Sequence, residues 1–258
     1  MDIIESLFFY IEKIGLYIRE KYAYRKNFLF LGCTMQKIMD IENEEFPNAK
    51  EYRIMVDKRY YEKLGGFSYV LGELRKKIGS QQTDVLITDA AAFCNELCDQ
   101  YKGLSKKERI HTEQMIFPRA AFYLQMIKYI SREESISLIE EAVRIGVEPD
   151  RKRLNAVTKV PFIRPLFFKI LPKMIDIMFN EEVGFKTAEY ESDNKHYRAD
   201  VLQCPYMKYC ELLGCKELTV TFCLSDDRVF GNMSGITFKR QSTIGRGSDK
   251  CDFYFYRN

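Results

Sequence analysis

The 258-residue chain has no tryptophan, so its bulk aromatic surface must come from 17 tyrosines and 19 phenylalanines, which are expected to fill the core and line any pocket. It has no run of about 18 uncharged apolar residues, which excludes a helical membrane span. The opening Met1-Asp2-Ile3-Ile4-Glu5 is acidic where a secretory signal would be basic, so no signal peptide is expected. Eight cysteines are too sparse for a disulfide-stapled scaffold, and free thiols in a reducing cytoplasm follow as the expectation. Charge of one sign is lacking too. A net +3 and a pI near 8.3 are too mild to imply nucleic acid, and neither half carries a charged tail. What is present is ordinary for a globular protein: 46% hydrophobic and 30% charged residues, enough to bury one sizeable core or a main domain with a smaller partner. The oligomeric state is not legible.

The front of the chain reads as helical. Ile4, Leu7, Phe8, Ile11, Ile14 and Ile18 recur at helical spacing over residues 3–21, and their mixed charged neighbours favour a helix docked on a core over one lying on a membrane. Residues 22–50 are ambiguous between helix and strand around Phe28–Leu31, with a loop at Pro47. Helices are expected over 52–78, broken at Gly65-Gly66, and over 83–101, capped by Thr83 or Asp84. Cys94 and Cys98 share a face of the latter, where buried thiols are the ordinary case and no partner ligands for a metal lie near. A helix over 105–130 holds Pro118. Ser131–Glu134 forms a capping box opening a helix that carries Ile136, Ile139, Ala142 and Val143 and stops at Gly146 and Pro149. His111, beside Thr112 and Glu113, reads as a surface or capping residue. From Arg151 to Lys173 seven basic residues occur with no acid between them, interleaved with Pro161, Pro165, Pro172 and a phenylalanine-rich apolar set. A solvated basic face over a packed stripe is the default; a surface for an anionic ligand, membrane or partner competes with it.

The character changes after residue 184. Five of the eight cysteines fall beyond it. Phe185–Ser192 and His196–Cys204 alternate around Asp193-Asn194-Lys195, the pattern of a β-hairpin. A short helix from Pro205 stops at Gly214, a second covers roughly Glu217–Phe230, Ile236–Ile244 reads as a strand, and Cys251–Arg257 closes the chain after Gly245-Arg246-Gly247. The order ββααββ describes an antiparallel sheet with helices on one face, hence an α+β class: a helical part over 1–184 packed on an α+β unit over 185–258 as one integrated domain, with a small-molecule pocket between them.

Strand parity then places chemistry. Cys251, Phe253 and Phe255 share a face of the last strand, and Arg240 shares one with Ile236 and Phe238. If that face is covered, the Arg240 guanidinium needs a carboxylate from a protein acid such as Asp226 or from a substrate. Cys204 ends a strand before a helix N-terminus, where the dipole is expected to lower its pKa. Cys223 lies one helical turn before Asp226 and Asp227. Three readings compete: a nucleophilic thiol at Cys204 or Cys223 with Asp226 or Asp227 managing water; a metal site of Cys204, Cys223 and Cys251 with a carboxylate or His196; or small buried hydrophobes beneath surface acids.

Asp200–Tyr206, Leu212–Leu218, Phe222–Asn232, Ile236–Arg240 and Gly247–Phe253 together resemble the family of L-2-amino-thiazoline-4-carboxylic acid hydrolases, and Ile116–Ala142 resembles it more loosely. The resemblance implies a hydrolase acting on a carbon–nitrogen bond other than a peptide bond. Water adds at the C=N carbon of a small cyclic amidine or thiazoline acid, giving an N-carbamoyl-cysteine, with no cofactor. In that reading Cys223, Cys204, Asp226 and Asp227 are the catalytic candidates and Arg240, Cys251 and His196 the substrate-binding ones. The closing Gly-x-Asp-x-Cys-x-Phe also resembles the end of vinyl-reductase-type ligand-sensing domains, which implies, as the alternative, a non-catalytic small-molecule or zinc sensor.

Overall fold

The structure, a computed structural model, describes residues 55–190 and 192–258, and Met55–Asn258 cluster into one unit. The helix expected over 3–21 and the ambiguous stretch 22–50 lie outside the described residues. Helices α1 (Lys58–Lys63) and α2 (Phe67–Ile78) are divided at Gly65-Gly66, as the glycines imply. Gly66 has φ +77°, and a Cβ there would come within 1.8 Å of the Ala142 carbonyl oxygen, so only glycine allows the joint to seat against the helix Arg132–Gly146 (α6).

Helix α3 spans Ser80–Gln100 and begins directly after Gly79, three residues ahead of the expected caps. Thr83 is inside its first turn, its hydroxyl donating to the Gly79 carbonyl at 2.8 Å. The single helix expected over 105–130 is instead α4 (Lys106–His111), a π-helical turn Thr112–Ile116, and α5 (Phe117–Met126). Pro118 has no N–H to give the Gln114 carbonyl four residues back. That carbonyl accepts the Tyr60 hydroxyl at 3.2 Å instead, while the Tyr61 hydroxyl donates to the Pro118 carbonyl at 2.9 Å. Ser131 caps α6 through the Glu134 N–H at 3.1 Å, as the capping box predicts. Pro149 starts α7 (Glu148–Thr158) rather than merely ending α6, and α8 (Ile163–Met178) carries Pro172 inside it. Across the basic stretch Lys152, Arg153, Lys159 and Lys169 are exposed, while Phe167, Phe168, Leu171 and Ile175 are buried.

The C-terminal elements are β1 (Lys186–Glu189), β2 (His196–Gln203), α9 (Pro205–Leu212), α10 (Thr219–Phe230), β3 (Ile236–Lys239) and β4 (Cys251–Arg257). The four strands form one antiparallel sheet in the order β1-β2-β4-β3, so helices followed by an antiparallel sheet give the α+β class. Asp193 makes the hairpin turn, its Oδ1 accepting the Lys195 and His196 N–H groups at 2.7 Å each. The covered face presents Tyr197, Ala199, Val201, Cys251, Phe253 and Phe255, all buried. Phe167 of α8 and Phe230 of α10 stand on Phe255 at ring-centroid distances of 6.1 and 5.3 Å. Each such aromatic contributes about 1.5–3 kcal/mol on burial, which fixes which face the helices cover. Strand β3 ends at Lys239 rather than at Ile244, because the Asp252 carboxylate takes the Gln241 and Ser242 N–H groups at 3.1 and 2.6 Å and leads the chain off the ladder.

Candidate active site

Four segments meet at one sulfur. Cys223 lies in the middle of α10, which packs against α6 and α7. Cys251 opens β4 on the covered face, and Cys204 is the residue before α9. The segment after β3 supplies the rest. Thr243 caps a 3-10 turn over Ile244–Arg246 by accepting the Arg246 N–H, and Gly247, at φ +90°, ends it. The turn is pressed onto α10: a Cβ on Gly245 would stand 2.8 Å from the Cys223 Sγ and 3.2 Å from the Thr219 methyl. The Ile244 N–H donates to the Cys251 Sγ at 3.2 Å.

These neighbours treat the three thiols differently. The neighbouring Cys251 thiol, helped by Thr243 and the Arg240 charge, outweighs burial and the nearby Asp226 to lower the Cys223 pKa to about 7. Cys251 is driven up by its pairing with Cys223 and by burial. Cys204 corrects the dipole expectation. Its side chain makes no capping hydrogen bond to the start of α9. Burial dominates, the charges of Cys223 and Asp226 add to it, the nearby Met207 and Tyr206 N–H groups offset little, and its pKa is pushed up to about 12. Of the three, Cys223 is the one whose pKa is lowered.

Arg240 is inward, which meets the condition strand parity left open, and the acids close on it. Its side chain is 1% exposed. Nε donates to Asp227 Oδ1 and Nη1 to Asp226 Oδ2, each at 2.9 Å, and Nη2 reaches both Asp227 Oδ1 at 2.6 Å and the Cys223 carbonyl. Burial alone would favour loss of its proton, but the two carboxylates outweigh that and hold the guanidinium charged. Its carboxylate partners are thus protein acids.

Six of the seven residues singled out from the sequence therefore come together: Cys204, Cys223, Cys251, Asp226, Asp227 and Arg240. His196 does not join them. It sits on the opposite sheet face, exposed, bonded to Asp193 and stacked on Tyr254 at 6.4 Å. Its parity with Arg198 and against Cys251 carried that information. Among the described residues no group of three or more His, Cys, Asp or Glu side chains is arranged to hold a metal ion. The seven described cysteines are free thiols, and Cys94, Cys98, Cys210 and Cys215 are buried.

Sequence reasoning missed Thr243 and Gly245, for a turn that seats on a distant helix leaves no periodic trace. It also misplaced His111. That residue is buried, its Nδ1 is 2.9 Å from the Tyr206 hydroxyl, and its ring meets Phe185 and Tyr206 edge-on. Glu113, in the π-helical turn beside it, is also buried and paired with Arg109 at 2.6 Å. A π-helical turn often accompanies a functional site, but nothing in local spacing announces it.

A sequence model of one family, described as L-2-amino-thiazoline-4-carboxylic acid hydrolase, matches residues 109–255, more than half of the chain. The chain belongs to the L-2-amino-thiazoline-4-carboxylic acid hydrolase family. No curated protein matches it, and no solved structure does. The family match contains the whole thiol cluster, Arg240 with its acids, and the buried His111. No helix among the described residues is long and apolar enough to cross a membrane.

Proposed function

We propose that this member of the family hydrolyses a small cyclic amidine of the 2-amino-thiazoline-4-carboxylic acid class, using Cys223 as the nucleophile. The observation that carries the reading is the convergence on Cys223 of the Ile244–Arg246 turn, pressed onto its sulfur at Gly245, of Cys251, held by the Ile244 N–H, and of Arg240, which bonds its carbonyl. These surroundings also lower its pKa. Family membership supplies the substrate class.

The ring carbon between the two nitrogens and the sulfur is the electrophile. The Cys223 thiolate adds to it, and the C=N electron pair moves to nitrogen. When the tetrahedral centre collapses, the ring carbon–sulfur bond breaks, because a thiolate leaves more readily than an amine anion. The departing sulfur takes the proton of the Cys251 thiol. Water then adds to the carbon held on Cys223, and loss of the Cys223 thiolate leaves a carbamoyl group on the former ring nitrogen. The water's protons end on the product and on Cys251. Asp226, whose partly exposed side chain accepts Arg240 Nη1, is the carboxylate assigned to orient the water. The net change is substrate plus water to N-carbamoyl-cysteine. The carbon–nitrogen double bond is hydrated, and the single bond lost is carbon–sulfur, which refines the expectation of simple C–N hydrolysis.

Ring opening liberates one thiol, so purified protein mixed with 2-amino-thiazoline-4-carboxylic acid should release thiol continuously. Cys223→Ala and Asp226→Asn are each expected to lose more than about 100-fold in turnover while keeping wild-type circular dichroism. No thiol from any thiazoline would remove the substrate class. Undiminished turnover in Cys223→Ala would remove the nucleophile.

A further inference from the structure

A substrate of this class carries a carboxylate two atoms from its electrophilic carbon, so a carboxylate-binding group must stand close to the Cys223 sulfur. Arg240 cannot serve without breaking its own contacts, since its Nε, Nη1 and Nη2 all donate to protein oxygens and its side chain is covered. A second arginine stands beside it. Arg246 Nη2 donates to Asp227 Oδ2 at 2.7 Å, on the same carboxylate whose Oδ1 holds Arg240, and the Arg246 side chain is 44% exposed. It has no other acceptor among the described residues.

Chain continuity ties Arg246 to the nucleophile. Consecutive residues bear on the cluster: Ile244 through its N–H to Cys251, Gly245 at a position where a Cβ would stand 2.8 Å from the Cys223 sulfur, and Arg246 through Asp227, with Thr243 capping the turn that carries them. The turn pressed onto α10 at Cys223 therefore carries a half-exposed guanidinium, and Asp227, one helical turn after Cys223, fixes one arm of its fork. Planar, two-pronged donation matches a carboxylate better than a point charge does.

We infer that Arg246, and not Arg240, receives the carboxylate of the compound that Cys223 attacks, while Arg240 is the buried strut that orders Asp226 and Asp227. The inference rests on the reading of Cys223 as the reactive thiol, but it is testable without any thiazoline. Iodoacetate and iodoacetamide alkylate the same sulfur by the same displacement of iodide, and only the first carries a carboxylate. Rates at Cys223, followed by peptide mass mapping, should favour iodoacetate over iodoacetamide more strongly than free glutathione does. Arg246→Gln should cut that ratio by roughly tenfold while moving the iodoacetamide rate by less than about twofold. The neutral reagent thereby reports folding and thiolate content in the same variant. Arg246→Lys keeps the charge but loses the fork, and its ratio should stay below wild type.

An unchanged ratio in Arg246→Gln, or full recovery in Arg246→Lys, would overturn the assignment. Failure of the two readings separates cleanly. A protein that opens no thiazoline but loses the ratio on Arg246→Gln keeps its carboxylate subsite and loses its proposed substrate. A protein that opens the ring with an unchanged ratio loses only Arg246.

Discussion

Cys223 and Cys251 are the same side chain driven in opposite directions by their neighbours. Cys251 accepts the Ile244 N–H, and its pairing with Cys223 raises its own pKa while lowering that of Cys223. With the Cys223 pKa lowered to about 7, its iodoacetamide rate should rise with pH through an inflection there. Cys251→Ala removes that pairing, and the inflection should move up toward the ordinary thiol value of about 8.5. An inflection that stays near 7 in that variant would mean the pair is not coupled. The sign for stability follows from the same shift. A depressed pKa stabilises the fold fully above the ordinary thiol value, and that contribution fades as pH falls through about 7.

At the scale of elements, the site is a turn seated on a helix. Gly245 permits the contact between the Ile244–Arg246 turn and α10, where a methyl group would sit 2.8 Å from the Cys223 sulfur with the Thr219 backbone and methyl at about the same range. Gly245→Ala should therefore lift the turn and lengthen the Thr243 and Ile244 hydrogen bonds. It should raise the Cys223 inflection and cost about 1–3 kcal/mol in chemical denaturation. A variant with wild-type stability and inflection would show that the turn has room to spare. The strands themselves were largely legible. Alternation grouped Cys251, Phe253 and Phe255 on one face and left Arg240 inward only if its own face was covered, and the structure meets both; Asp193 and Pro205 marked the hairpin and the helix start. The errors have one physical origin. Where β3 stops depends on the Asp252 carboxylate, and the buried state of His111 depends on Tyr206, 95 residues away. The rise of the Cys204 pKa likewise depends on tertiary burial overriding a local dipole.

For the molecule as a whole, the described unit joins two kinds of sequence in one family match over 109–255. The C-terminal motifs were recognisable because glycines, cysteines and acids recur there at readable spacing. Upstream, Ile116–Ala142 was legible only loosely and Arg109–Met115 not at all, since the buried His111 and Glu113 look like ordinary helix-surface residues until tertiary packing is known. The central claim is that one thiol of this chain is reactive and that turnover passes through it. Limiting iodoacetamide near pH 7, with peptide mapping and residual thiazoline turnover measured on the same samples, tests it most directly. Cys223 should be the first cysteine labelled, and activity should fall in proportion, reaching zero at one label on Cys223. Labelling of Cys204 or another cysteine ahead of it, or full turnover by protein fully alkylated at Cys223, would contradict the claim.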